Sequence, residues 1–312
     1  MNPRILVVGS ANMDLVLNME RIPYSGETVM EQQSYDFMPG GKGANAAVAA
    51  ARLGGDVIFC AMLGSDTHAS VLLDCYEKER LDTRFIKQSK TSRTGLAAIM
   101  VEKNGTNRIV VYPGANFELS EDEVEHAFLS YPDALLIQFE LDGDLIAAAI
   151  GYAKAHKVPV FIDAGPYNKK VQLGALQNVE VFSPNERETC ELTGIEPRDT
   201  DSCLRACTKL SELVTSKFYV LKISDRGSFI YDGKYCEYVP SYDVTAVDTT
   251  AAGDAFTAAL TLEYLRSRNI VRACKYANIA GALAVTKRGA VNSLPTYKEV
   301  EAFRVKRRIE IQ

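Results

Sequence analysis

The chain has no tryptophan and only three histidines, at positions 68, 126 and 156, too scattered to supply a zinc site. Its seven cysteines (60, 75, 190, 203, 207, 236 and 274) form no CxxC pair and no evident disulfide framework. That odd number, with no secretory leader in view, is the pattern of reduced thiols and a cytoplasmic protein. No apolar run reaches about 18 residues, so no membrane-spanning helix is expected. The opening Ile5-Leu6-Val7-Val8-Gly9 is too short for a leader and reads as a buried first strand. Basic residues are not in excess: 35 Lys and Arg stand against 40 Asp and Glu, a net charge of −5, which argues against a nucleic acid partner. The one basic cluster, Arg304, Lys306, Arg307 and Arg308, falls at the expected end of the last helix, where cations suit the dipole.

What is present is ordinary globular composition, 47% apolar and 24% charged over 312 residues. That length suits one large domain or one with a smaller appendage. Short apolar runs predict strands at Ile5–Gly9, Val57–Ala61, Ala134–Phe139, Val158–Asp163, Val179–Phe182, Tyr219–Ile223 and Ser228–Tyr231. Longer periodic segments predict helices at Ala44–Leu53, Ala69–Glu79, Glu121–Leu129, Leu145–His156, Glu186–Leu192, Cys203–Leu213, Ala252–Arg268, Ile270–Thr286 and Thr296–Phe303. Their alternation predicts an α/β fold, a mostly parallel central sheet with helices on both faces and ligands beyond the carboxyl ends of the strands. Residues 14–38 read as extended, and residues 94–113 read as a hairpin turning at Asn104-Gly105. The two segments are expected to pair into a small separate β-sheet lid.

Four motifs carry chemistry. Gly40-Gly41-Lys42-Gly43-Ala44-Asn45 opens an Ala-rich helix and is either a ligand-approaching loop or a glycine-rich turn into the core. It is not a Walker A loop, because Gly43 follows the lysine. Asp248-Thr249-Thr250-Ala251-Ala252-Gly253-Asp254 places small residues at a helix start, suited to an anion hole, with Asp254 as a proton acceptor or simply as a helix cap. Asn185 and Glu188 share a helix face, suited to a hydrated magnesium and a phosphate or to a capping box. Asn12 and Asp14 are two apart after the first strand, so on an extended segment they point the same way. With Glu140 past another strand end they suit a polyol, or form a polar loop.

Together and in this order the motifs resemble the ribokinase-like (PfkB) carbohydrate kinase family, from Val7 to about Pro295. The resemblance implies a large α/β domain (1–13, 39–92 and 116–312) and a small β lid (14–38 and 93–115), with pairing into a homodimer through the lid. It implies phosphate transfer from ATP to the terminal hydroxyl of a small sugar, D-ribose to D-ribose 5-phosphate. The rivals are 2-deoxyribose, fructose or a nucleoside as acceptor, and a sugar-sensing regulator without chemistry. Asn12, Asp14, Gly40, Gly41, Lys42, Asn45 and Glu140 match sugar-binding positions, and Asp254 matches the catalytic base. Ala251, Ala252 and Gly253 match the anion hole. Asn185 and Glu188 match the nucleotide and magnesium motif; Lys222, Ser224 and Gly227 fall in the loop beside the nucleotide, and Asn278 near the adenine. Asp248, Thr250, Ala284, Lys287, Gly289 and Ser293 match a monovalent-cation loop that uses potassium, largely through backbone oxygens. Lys222-Ile223-Ser224 departs from the common Thr-x-Gly, with the lysine either reaching a phosphate or solvated. Asp163-Ala164-Gly165-Pro166 likewise departs from the usual Asn-Pro or Asp-Pro step.

Overall fold

A strand whose residues are apolar without alternation must be covered on both faces. β1 (Arg4–Val8) is such a strand: Ile5 and Val7 enter one core, Leu6 and Val8 the other. The computed structural model describes residues 2–103 and 106–311. Its larger sheet runs β13-β12-β11-β10-β9-β8-β1-β4-β5, formed by β4 (Asp56–Leu63), β5 (Ile86–Gln88), β8 (Ala134–Gln138), β9 (Val160–Asp163), β10 (Gln177–Ser183), β11 (Thr215–Lys222), β12 (Gly227–Tyr231) and β13 (Cys236–Pro240) with β1. Pairing is parallel from β11 to β5 and antiparallel for β12 and β13 at the other edge.

One face of this sheet is covered by α1 (Lys42–Arg52), α2 (Thr67–Lys78), α7 (Ala252–Ser267), α8 (Ile270–Ala284) and α9 (Tyr297–Lys306). The other carries α3 (Glu121–Phe128), α4 (Gly143–Ala155), α5 (Glu186–Thr193) and α6 (Thr200–Leu213). β5 and β13, absent from the sequence expectation, are short edge strands without an apolar run; their pairing partners, not their composition, make them strands.

A second, four-stranded sheet has the order β3-β2-β6-β7, from β2 (Asn12–Met19), β3 (Tyr35–Gly40), β6 (Gly95–Glu102) and β7 (Asn107–Tyr112). β6 and β7 pair antiparallel as the hairpin pattern predicts, while the Asn104-Gly105 turn lies outside the described residues. β6 runs parallel to β2, a pairing no local signal announces. The stretch Glu27–Met30, expected to be extended, joins no strand: its residues are exposed and only β2 and β3 on either side of it pair.

The chain leaves β1 for the second sheet, returns to β4 on one side of β1, and later crosses to β8 on the other. That reversal is the switch point at which open parallel sheets bind ligands. α1 starts directly over it. Gly43 lies against the end of β1 so closely that a Cβ there would stand 2.5 Å from the Gly9 carbonyl carbon and the Ser10 nitrogen. Gly43→Ala should therefore destabilise the protein by about 1–3 kcal/mol through overpacking and lower Tm by several degrees in a thermal melt; an unchanged Tm would mean the helix yields without cost.

Candidate active site

The Asp254 carboxylate is the centre of the site. It sits in the first turn of α7 and is 4% exposed. It is not the cap of that helix: the residue before the helix is Ala251, held at φ 60°, which makes no side-chain cap bond. Instead Asn45 Nδ2 donates to Asp254 Oδ2 at 2.8 Å, and Lys42 Nζ lies 3.5 Å from Oδ1, which has no hydrogen-bond partner among the described residues. Burial raises the Asp254 pKa above the ordinary value despite Lys42 and Asn45, which strengthens it as a base. For Lys42, burial works against the charged form. The carboxylates of Asp254, Asp163, Glu188 and Glu140 outweigh it and hold the ammonium protonated.

The start of α1 and the end of β1 bring the polyol candidates to the same place. Gly40 and Gly41 let β3 and α1 approach: a Cβ on Gly40 would stand 2.0 Å from Asp14 Oδ2, and Gly41 has φ 90°. Ser10 donates to Glu140 Oε2 at 2.5 Å, and the Lys42 backbone N–H donates to the same oxygen at 3.0 Å. Asn12 Oδ1 accepts from Asn116 Nδ2 at 2.7 Å, and Asn116 Oδ1 accepts from the Ala11 N–H at 2.9 Å. Asn116 and Ser10 are thus supporting residues that motif spacing does not reveal, because their partners are distant in sequence. Asp14 is buried, and burial, then Glu140 and Asp254, push its pKa up to about 7.

Beside Asp254, at Gly253, opens a cavity of about 700 Å³ whose walls include Asn185, Lys222, Ser224, Gly227, Gly253 and Asn278. Asn185 and Glu188 form the reciprocal capping box of α5, at 2.8 Å in each direction. Glu188 is also buried against Gly165, where a Cβ would stand 2.0 Å from its Oε1, and burial raises its pKa. Ser224 is held at φ 51° and donates to Glu186; Gly227 has φ 112°, and a Cβ there would meet the Val239 carbonyl at 2.2 Å. Asn278 commits its amide donors to the carbonyls of Val239 at 3.0 Å and Pro240 at 3.1 Å, which ties α8 to β13.

Lys222 is not solvated. It is 8% exposed, with its ammonium 2.7 Å from Asp163 Oδ1. Asp163 was visible as a strand-end carboxylate, but its pairing with Lys222 needs β9 and β11 to lie on either side of β10.

Asp248 joins two loops. Its Oδ1 accepts from the Thr250 N–H and hydroxyl, its Oδ2 from the Gly289 N–H at 2.9 Å, and these bonds hold its pKa low despite partial burial. Lys287 pairs with Glu299 at 2.6 Å, and the Ser293 hydroxyl donates to the Ala290 carbonyl, while Ala284 ends α8 beside this loop.

Residues 2–297 match the pfkB family carbohydrate kinases. The chain is 34% identical over 307 residues to a ribokinase of Haemophilus influenzae, covering 97% of this chain and 99% of that one. It is 34% identical over 300 residues to a bifunctional ribokinase/ribose-5-phosphate isomerase A of Fructilactobacillus sanfranciscensis; there it covers 95% of itself and 55% of the relative, about half of that longer protein. Its fold superposes on Arabidopsis thaliana ribokinase complexed with ribose and ATP with a TM-score of 0.86, at 28% identity, covering 97% of this chain and 98% of that one. The chain therefore belongs to the pfkB family of carbohydrate kinases and is an ATP-dependent sugar phosphotransferase.

The elevated Asp14 pKa makes a stability prediction. A buried carboxyl whose folded pKa is about 7 against an ordinary 3.8 stabilises the fold fully below the ordinary value, and that contribution is lost as pH rises to about 7. Asp14→Asn lacks this loss. Its Tm advantage over the unmodified protein should be small at pH 4, grow through pH 7 and level off above; parallel Tm profiles for the two proteins would contradict the assignment.

Proposed function

We propose that the protein transfers the γ-phosphate of ATP to the terminal hydroxyl of D-ribose, giving D-ribose 5-phosphate. The observation that carries this reading is the buried Asp254 carboxylate, which meets Asn45 and Lys42, has one oxygen without a hydrogen-bond partner among the described residues, and follows Gly253 in the wall of the cavity of about 700 Å³. In this reading Asn12, Asp14, Lys42, Asn45 and Glu140 hold the sugar hydroxyls, and Gly40 and Gly41 let the backbone close on the ring. Asp254 takes the proton of O5 as that oxygen attacks the γ-phosphorus in line, and ADP leaves. Backbone N–H groups at Ala251, Ala252 and Gly253 stabilise the developing charge, so positioning and electrostatics carry most of the rate. Asn185, Lys222, Ser224, Gly227 and Asn278 surround the nucleotide.

Among the described residues no group of three His, Cys, Asp or Glu side chains is arranged to hold a metal. A magnesium ion that keeps its waters and rides on phosphates needs only one or two carboxylates, and buried Glu188 fits that need. When bound, the ion neutralises phosphate charge. In this reading the Asp248 loop would hold a potassium ion through the Asp248 and Ser293 side-chain oxygens and the backbone oxygens of Thr250, Ala284, Lys287 and Gly289; the bonds of Asp248 to Thr250 and Gly289, which draw the two loops together, support it. Lys287 can contribute only its backbone oxygen there, because an ammonium has no acceptor, and its side chain pairs with Glu299.

Residues 14–38 and 93–115 act in this reading as a lid over the large domain (1–13, 39–92 and 116–312), excluding water when sugar is bound. The outward apolar residues Tyr35, Phe37 and Ile109, each at least half exposed, support a homodimer formed through the lid. The free state of all seven cysteines supports a cytoplasmic location.

The test is coupled ADP release across ribose, 2-deoxyribose, fructose, fructose 6-phosphate and adenosine with magnesium and potassium present. Ribose should give the highest kcat/KM. Preference for another acceptor would move the substrate and keep the chemistry, and sugar binding without turnover would make the protein a sensor. Asp254→Asn should lower kcat by about 10²- to 10⁴-fold while calorimetry finds sugar affinity little changed; full turnover would remove Asp254 as the base.

A further inference from the structure

The sheet carries a polar tier beneath the first turn of α7. Leu136, Phe161 and Val181 form an apolar row in the α7 core, level with Phe218 of β11. Two residues further along β8, β9 and β10, and so on the same face, come Gln138, Asp163 and Ser183, while Lys222 stands on β11 opposite Asn185, one step beyond them, and reaches back to Asp163. All four are buried. In this tier Lys222 Nζ lies 2.7 Å from Asp163 Oδ1 and 3.4 Å from Thr257 Oγ1, and Thr257 donates to Asp163 Oδ2 at 2.9 Å.

An ammonium has three donors; Lys222 turns one to Thr257 Oγ1 and ion-pairs with Asp163, which leaves an N–H to spare. The group also forms part of the wall of the cavity of about 700 Å³, and a Cβ built on Gly253 would stand 3.8 Å from Nζ. A buried lysine–carboxylate pair is a poor way to stabilise a core, since apolar residues of the same volume do as well or better. What the pair does supply is a fixed positive charge beside the helix end that carries Asp254. That is where negative charge passes from ATP to the acceptor.

We propose that Lys222 is a catalytic residue that donates its third N–H to the γ-phosphoryl group of ATP, with Asp163 and Thr257 as the positioning residues that hold it. This rests on the sugar-kinase reading above. No bond is made or broken at the lysine and it stays protonated throughout; the proton of the acceptor hydroxyl still goes to Asp254.

The experiment compares Lys222→Met with the double variant Lys222→Met/Asp163→Asn, which leaves no unpaired buried charge if the single variant folds poorly. ATP and ADP are titrated separately by calorimetry with magnesium present, and kcat is measured on the best acceptor. Both variants should lose about 10- to 100-fold more affinity for ATP than for ADP, the size of a hydrogen bond to a charged group, with a matching or larger fall in kcat and unchanged sugar affinity. Equal losses for ATP and ADP, or none, would overturn the proposal and leave a structural ion pair. Failure of the unmodified protein to phosphorylate any acceptor would count against the sugar-kinase reading alone, since the ATP-against-ADP comparison still decides the role of Lys222.

Discussion

The site is organised by a shortage of positive charge. The carboxylates of Asp14, Glu140, Asp163, Glu188 and Asp254 gather at the strand ends, and among the described residues Lys42 and Lys222 are the ammonium groups that ion-pair within them. Each lysine is placed by a different element, Lys42 by the start of α1 and Lys222 by the end of β11. The remaining carboxylates are restrained by hydrogen bonds or by protonation: Glu140 accepts from Ser10 and the Lys42 backbone, and Asp14 is pushed toward its neutral form. A pocket of this kind suits a neutral, hydroxyl-rich acceptor on one side and an anion that brings its own cations on the other.

Backbone conformation serves this arrangement at a cost the surroundings must bear. Ala251 and Ser224 both occupy the left-handed region that side chains other than Gly, Asn and Asp seldom visit. Ala251 turns the chain into α7 without a capping side chain, and the Ala252 N–H makes only a long bond, 3.4 Å, to the Thr249 carbonyl. Ser224 is fastened in place by its bond to Glu186, which substitutes for the freedom a glycine would have at that loop. Local strain of this sort, held by packing, is usual around ligand sites.

The topology explains why distant motifs meet. Because β1 lies between β4 and β8, its carboxyl end faces the crevice at which the sheet reverses direction. The glycines of α1 permit its start to press on that end, and the contact between α1 and α7 then carries Asn45 to Asp254. The second sheet grows out of the same point, since Asn12 begins β2 and pairs with both Gly40 and Gly95. The proposed sugar-site residues Asn12 and Asp14 and the start of the proposed lid are therefore parts of one continuous strand.

Much of the molecule is written in local patterns. The unbroken apolar runs at β1, β4, β8 and β9 and the periodic segments behind α1, α7 and α8 determined a parallel sheet covered on both faces, because burial on two sides leaves no room for alternation. The glycine string at 40–43 and the small residues before Asp254 marked the two helix starts that meet at the site, since close backbone approach demands them. Other features had no such mark. Asn185 and Glu188 have the spacing of a capping box whether or not they serve a nucleotide, and the folded chain makes that box. The ion pair of Lys222 with Asp163, the hold of Asn116 on Asn12, and the parallel pairing of β2 with β6 join residues far apart in sequence. Propensity and periodicity act over a few residues, whereas charge pairing and strand order are decided by which elements become neighbours; only the tertiary structure could determine those.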